Sequence, residues 1–510
     1  MRLTEVATGA SLPSVGAIVL VCVATLTLGV LGMRLARGTS DFYVAGRAVS
    51  PWRNASAIGG EYLSAASYLG VAGLVYTQGA DMLWLPVGYT IGYLVLLVLV
   101  AAPLRRSGAY TLPDFAEVRL RSQPVRLLSA GLVVGIGWLY LLPQMQGAGL
   151  ALQHVSGLPT WVGGVVVAAV ITAGVVGGGM RSITLVQAFQ YWIKLSAIAV
   201  PAFVLVVVWL RDGAPSPVAD DHWWEPLTGP REDHRLYTTY STLLALCLGT
   251  MGLPHIVVRF YTNPDGRAAR RTTVAVLALL GLFYVFPPVY GVLGRVYLPA
   301  GGVRADEVVL GLPQAVVPGL SADVLTAMLA GGAFAAFLST ASGLALSVAG
   351  ALDQDVLRRV VLRRTAGDAH PVQTFRVAAV VGVVVPLVIS QLVDPVGISL
   401  AVGHAFAIAA STFAPLVILG VWWRRLTPPG AAAGILVGGV CSIGAASLNI
   451  LGGGTSGWPA PLLEAPAAWS APLAVVVMIG VSLATPRSVP AATASVMARL
   501  HTPEAVLPDR

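Results

Sequence analysis

Lysine is almost absent from this sequence. Of 31 basic residues in 510, Lys194 alone is a lysine, and charged residues of both signs reach only 11%. A water-soluble domain carries about 25% charge, so a soluble globular fold is excluded. The lysine shortage reads as the bias of a GC-rich genome rather than as chemistry. Cysteine is scarce as well. Cys22, Cys247 and Cys441 are far apart, each in an apolar run, with no metal-ligand spacing; they read as small packing residues without a functional disulfide. There is no glycine-rich phosphate loop with its lysine, no zinc spacing and no nucleophile elbow. An ATP-driven pump and an enzyme both lose their support, and no cofactor is implied. The +8 net charge comes from arginines in short loops, not from a stripe suited to nucleic acid. The loop near 353–372 and the tail from Pro486 are too short for a folded domain. That speaks against a non-transporting solute sensor with a signalling module.

What the chain has in excess is apolar residues, at 56%, with 57 glycines and 34 prolines, many inside apolar runs. That pattern fits broken membrane helices. Thirteen spanning segments can be drawn, near 13–33, 53–77, 82–104, 127–152, 160–179, 184–210, 238–261, 273–297, 321–350, 373–393, 396–423, 430–450 and 470–486. The first run, Ser14 to Met33, is too long for a signal-peptide core and no cleavage site follows it, so it is expected to be retained. With the N-terminus outside, 25 of the basic residues fall inside and 6 outside, which predicts an N-out, C-in protein of the cell membrane. The expected fold is an all-α polytopic membrane protein.

The acidic loop 211–237, with Trp223-Trp224, falls outside and separates two sets of five spans. An odd number of spans per set inverts one set against the other, the arrangement of inverted-repeat transporters. The expected organisation is an extra helix in 1–37, a first repeat in 38–210, the loop, a second repeat in 238–425, two further helices in 426–486 and a tail in 487–510. The first span of each set is interrupted at mid-depth, by Gly59-Gly60 in one and by Gly252-Leu253-Pro254-His255 in the other. Paired breaks of this kind point to a transport site, because freed backbone groups are tolerated only where they line a cavity.

Three constellations could carry the chemistry. The broken second span offers the carbonyls of Gly60 and Leu63, and hard oxygens of this type suit a sodium ion. Glu61, beside them, is the acid placed deepest in a span, and Tyr62, Ser64 and Ser67 follow. The ninth span puts Ala336, Ser339 and Thr340 on one helix face. The seventh sets His255 beside Pro254, with Arg259 one turn on. His404, Gln144, Gln146, Gln187 and Gln190 are further polar residues in the spans.

Asp41-Phe42-Tyr43-Val44-Ala45-Gly46-Arg47, the Gly-Glu-Tyr-Leu-Ser-Ala-Ala-Ser-Tyr-Leu-Gly run at 60–70, Gly252-Leu253-Pro254-His255 with Arg259-Phe260, and Ala405-Phe406-Ala407-Ile408-Ala409-Ala410-Ser411 resemble the sodium:solute symporter family. Within it they are most similar to the cation/acetate (monocarboxylate) branch, over residues 38–430. The resemblance implies a five-plus-five inverted-repeat, LeuT-type core with one helix before it and two after. It implies a sodium site at the carbonyls of Gly60, Leu63 and Ala336 and the hydroxyls of Ser339 and Thr340. It implies a substrate near Glu61, Tyr62, Ser64, Ser67, Gln144 and His255, with Gln187, Arg259 and His404 as supporting or gating residues. Two features depart from the pattern. Many members carry Thr-Asp where this chain has Val186-Gln187, and the acetate-like branch usually has aspartate at Glu61.

The expected function is symport of sodium, or another monovalent cation, with a small monocarboxylate such as acetate, propionate or pyruvate. The alternative is a different solute, such as an amino acid, a sugar or a nucleobase-like compound. The expected partners are the solute, sodium and the lipid bilayer, with a small accessory membrane protein as a further candidate and no nucleic acid.

Overall fold

The computed structural model describes residues 11–34, 43–217, 221–225, 234–298, 303–361, 371–393, 397–451 and 457–506. Part of the Asp41–Arg47 motif and much of the acidic loop lie outside them. The described residues form helices and connecting turns, with no strand among them. This follows from the solvent: in hydrocarbon every backbone N–H and C=O must be satisfied within the segment.

Sixteen of the helices, in chain order, are α1 (Leu12–Met33), α2 (Pro51–Tyr62), α3 (Val71–Gln78), α4 (Trp84–Leu99), α5 (Gln123–Ser156), α6 (Thr160–Arg211), α7 (Arg235–Gly252), α8 (Pro254–Phe260), α9 (Gly266–Tyr284), α10 (Phe286–Tyr297), α11 (Leu320–Ala351), α12 (Pro371–Leu392), α13 (Ile398–Ser411), α14 (Phe413–Trp422), α15 (Pro428–Leu451) and α16 (Ala467–Ala484). Among the described residues ten helices are long and apolar enough to cross a membrane, or eleven if the bent α7–α8 pair counts as one span. Further expected segments lie within joined helices. The run Ala66–Leu99 carries the end of one expected span and most of the next. At 52 residues α6 covers two expected spans; at 1.5 Å per residue it is about 78 Å long, more than twice the ~30 Å hydrocarbon core. Gly179 breaks it, with φ 54° and ψ −152°, a conformation a side chain would strain.

Both expected mid-span breaks are present. The chain leaves α2 at Leu63 (φ −73°, ψ 79°), where the Ser64 N–H donates to the Tyr62 carbonyl at 2.8 Å, an inverse γ-turn. Helix resumes as a π-turn over Ala66–Gly70 before α3. In the second half Leu253 is extended, Pro254 opens α8, and the two pieces meet at 48°. Pro254 explains the break, since it lacks the N–H that would continue α7.

α11 is the central helix. In its most apolar window 89% of residues are buried, against 33% for α1. It packs on α5 and α6, and α1 lies across the outside of α6 and α11. At the arginine-rich end, Arg126 pairs with Asp114 at 2.6 Å and also with Glu117 and Asp355. Arg119 is buried and donates to the carbonyls of Gly420 and Trp423, both at 2.9 Å. Arginines that in sequence only bias topology therefore also tie this end together. Trp223 and Trp224 part company: Trp223 is buried beside the end of α3 and Trp224 is exposed.

α2 and α6 approach so closely that a Cβ on Gly60 would overlap the Gln187 carbonyl. Gly60→Ala is therefore expected to destabilise the protein by about 1–3 kcal/mol through overpacking. Thermal unfolding of the purified protein checks this, with Gly16→Ala, whose added methyl meets nothing within 4 Å, as the neutral comparison.

Candidate functional site

The broken turn after α2 frees the carbonyls of Gly60 and Leu63, and a single side chain answers them. Lys194, on α6, is fully buried. Its ammonium donates to the Gly60 carbonyl, to the Leu63 carbonyl at 2.8 Å and to the Ser339 hydroxyl at 3.0 Å. Ser339 in turn donates to the Ala336 carbonyl at 3.1 Å. The Thr340 hydroxyl instead donates to the Glu61 carbonyl at 2.6 Å. Of the five oxygens expected at the ion site, Gly60, Leu63 and Ser339 thus converge on Lys194, Ala336 receives the Ser339 proton, and Thr340 braces the turn. Reading the lone lysine as codon bias is corrected here. A charged residue inside a span is functional by default, and that signal was present in the sequence.

Beside this group lies a buried ion pair. Arg259 Nε donates to Glu61 Oε2 at 2.5 Å, and both side chains are fully shielded. Arg259 also donates to the Thr184 hydroxyl at 2.7 Å and to Gln187 Oε1. Gln187 turns its amide to the Ser339 carbonyl at 2.7 Å. The glutamine at the position where many family members carry aspartate therefore links the arginine to the ninth expected span. Glu61 can lie flat on α11 because residue 343 is glycine; a Cβ there would collide with the carboxylate. Glu61, proposed from sequence as a substrate contact, is engaged by Arg259 through one oxygen, while Oε1 has no hydrogen-bond partner. Arg259 is likewise a buried structural charge rather than a headgroup anchor.

A second cluster stands on the other side of the broken turn. Gln144 Oε1 accepts from the Ala65 N–H at 3.4 Å, and Tyr140 donates to the Ser64 hydroxyl at 3.3 Å. Tyr140 and Gln144 are one turn apart on α5, so they share a face. The Tyr140 ring meets His255 edge-on at 5.4 Å and Phe406 at 6.2 Å. Gln144 Nε2 and both ring nitrogens of His255 are buried with no partner. Buried polar atoms normally find one, so three unanswered atoms around one turn make this cluster the candidate position for a polar ligand or water.

Tyr62 adjoins this cluster through Phe406, whose ring it meets at 6.1 Å. Its ring packs on Tyr93 at 4.8 Å and Tyr89 at 5.8 Å, and its hydroxyl pairs with Thr250 at 2.9 Å. The Ser67 hydroxyl is taken by Tyr284 at 2.9 Å, so it joins the aromatic wall rather than the open cluster. Tyr89 stacks on Tyr284 at 5.7 Å. Phe406 touches Tyr89 at 5.4 Å as well as Tyr140. A cavity of about 300 Å³ lined by Gln78, Asp81, Thr238 and Ser399 reaches Tyr89. The aromatic residues thus lie between that cavity and the Gln144–His255 cluster.

Three residues expected near the site lie elsewhere. His404 is 3.4 Å from the Asn449 amide, at the contact with α15. Gln146 donates to the carbonyls of Ser390 and Val393. Gln190 donates to Thr25 on α1. Tyr140, Phe406 and Thr184 were not anticipated; an aromatic or a threonine in an apolar helix carries no mark in sequence that separates site from packing.

A family model described as the sodium:solute symporter family matches residues 42–438. The chain is 31% identical over 437 residues to a monocarboxylic acid transporter of Corynebacterium glutamicum, covering 80% of this chain and 78% of that protein. It is 29% identical over 438 residues to an uncharacterised symporter of Bacillus subtilis, covering 83% and 84%. In architecture it is similar to a Na+-coupled sialic acid symporter in an outward-open state, with TM-score 0.69 at 14% identity over 93% of this chain and 98% of that one. It is also similar to a nucleobase-cation-symport-1 transporter, with TM-score 0.61 at 14% identity over 91% and 99%. The expected LeuT-type architecture is therefore the observed one.

Removing one member of a buried ion pair strands the other charge. Arg259→Met should cost about 3–5 kcal/mol, and Glu61→Gln combined with it should recover most of the loss. Unfolding of the single and double variants in detergent measures the coupling; equal instability of the two would show that the charges do not depend on each other.

Proposed function

This chain belongs to the sodium:solute symporter family, and we propose that it is a secondary transporter of the cell membrane that brings a small monocarboxylate into the cell together with a monovalent cation. Acetate, propionate and pyruvate are substrates of this class. The observation that carries this reading is the set of unanswered atoms at the broken turn: Gln144 Nε2 and the ring nitrogens of His255. The carboxamide N–H and the imidazole N–H are donors, and a carboxylate is an acceptor at both oxygens. The name of the Corynebacterium relative supports the same substrate class.

In this reading the carboxylate sits between Gln144 and His255, next to Ser64 and the backbone N–H groups at the start of the resumed helix, where the helix dipole favours an anion. Tyr140, Tyr62 and Phe406 exclude water around the short alkyl end. Each break lies in the first span of one inverted repeat, over 38–210 and 238–425, and rocking of one repeat against the other would open the site to each side in turn. A bound anion in an apolar bundle needs a neighbouring positive charge, and the oxygen-lined site across the turn holds one.

Purified protein in liposomes should take up labelled acetate, propionate or pyruvate, and unlabelled short carboxylates should compete. A hydrogen bond to a charged group contributes about 1.5–3 kcal/mol. Gln144→Leu and His255→Ala should therefore each raise KM by about 10-fold or more, with a smaller effect on maximal rate. Uptake of an uncharged solute that carboxylates do not inhibit would overturn the assignment.

A further inference from the structure

We infer that the Lys194 ammonium is the resident cation of the oxygen-lined site at the broken turn, and that it holds this site in place of sodium. The inference builds on the transport reading above but concerns the ion site alone.

The argument begins with matching. A lysine ammonium has three donors and no acceptor. Here the three meet three oxygens: the carbonyls of Gly60 and Leu63 and the hydroxyl of Ser339. These come from two separate elements, the broken turn and α11, and Lys194 reaches them from a third, α6. A buried lysine head normally escapes to water along its flexible stem. This one is fully buried, and its head meets the backbone oxygens that the broken turn releases. Gly60 lets α6 approach closely enough for that contact.

Sodium cannot share the site. It would need the same oxygens, and it would stand beside an ammonium of like charge where little water screens the repulsion. The charges nearby point the same way. Glu61 interacts electrostatically with both Arg259 and Lys194, but its direct ion pair is with Arg259. Of these three groups, two are basic and one is acidic, so the amine, when protonated, supplies one positive charge that Glu61 does not cancel. A single carboxylate on the far side of the turn balances it. Lys194 then does for the substrate anion what a bound sodium ion would do at this place, so the monovalent cation that accompanies uptake does not bind at these oxygens.

The test needs only sodium chloride, choline chloride and purified protein, so it stands apart from the identity of the solute. If liposome uptake of carboxylates fails, the substrate assignment falls and this inference is untouched; if the sodium responses below fail, the reverse holds. The melting temperature of the wild type should show no sodium-specific rise that Ser339→Ala removes. Lys194→Met vacates the oxygens, and it should gain a sodium-dependent rise of about 2 °C or more at saturation, lost again when Ser339→Ala is added. Lys194→Arg keeps a cation and should gain nothing. Should the methionine variant fail to fold, Lys194→Gln removes the charge while keeping a polar head, and the wild-type comparison with Ser339→Ala is decisive without either. A sodium-specific stabilisation of the wild type that Ser339→Ala abolishes would overturn the inference. So would a folded charge-free variant that ignores sodium.

Discussion

Everything at the centre of this bundle depends on a few backbone oxygens that lipid cannot satisfy. When α2 ends at Leu63 its last carbonyls lose their helical partners, and the cost of leaving such groups bare in an apolar interior is several kcal/mol, on the order of the values for transfer to hydrocarbon. The Lys194 ammonium answers Gly60 and Leu63, and Thr340 answers Glu61. The break is thereby held by α6 and α11 at once. The same contacts explain the glycines: residue 60 leaves room for α6, and residue 343 leaves room for the Glu61 carboxylate.

The broken turn has two faces with different chemistry. One carries most of the partners and charge: Lys194, the Glu61–Arg259 pair, Gln187 and Ser339, with Glu61 Oε1 left without a hydrogen-bond partner. The other is aromatic and holds the unanswered nitrogens of Gln144 and His255. A fully satisfied polar network is rigid, whereas a buried group left unanswered calls for a partner. The turn joins the two across a few residues, so a charge bound on the open face acts on the cation on the closed face. That closeness lets Lys194 favour an anion on the open face through their mutual attraction.

Energetics also separate the roles of the arginines. Arg126 and Arg119 sit at the end of the bundle, where they gather acids and helix-terminal carbonyls from distant segments. Arg259 stands in the apolar interior, where its value lies in the partners it has and the penalty if one is removed. Residues that look alike in a topology count therefore do different work.

The sequence by itself determined the membrane architecture, because hydrocarbon admits few solutions: apolar run lengths mark helices, and glycine or proline at mid-depth marks a break. Gly60, Leu63 and Ser339 were legible as a group of oxygen donors for the same reason, since a broken turn and a hydroxyl pair are local features. Only the tertiary structure decided what stands in that site. Lys194 lies 131 residues from Leu63 and 145 from Ser339 along the chain, and no periodicity reports such a meeting. It decided that Glu61 faces Arg259 and that His404 meets Asn449. It also separated Ser64 from Ser67, whose hydroxyls are three residues apart yet reach Tyr140 and Tyr284 respectively. Side-chain direction at a broken turn depends on the helices packed around it, and that packing is a property of the whole bundle.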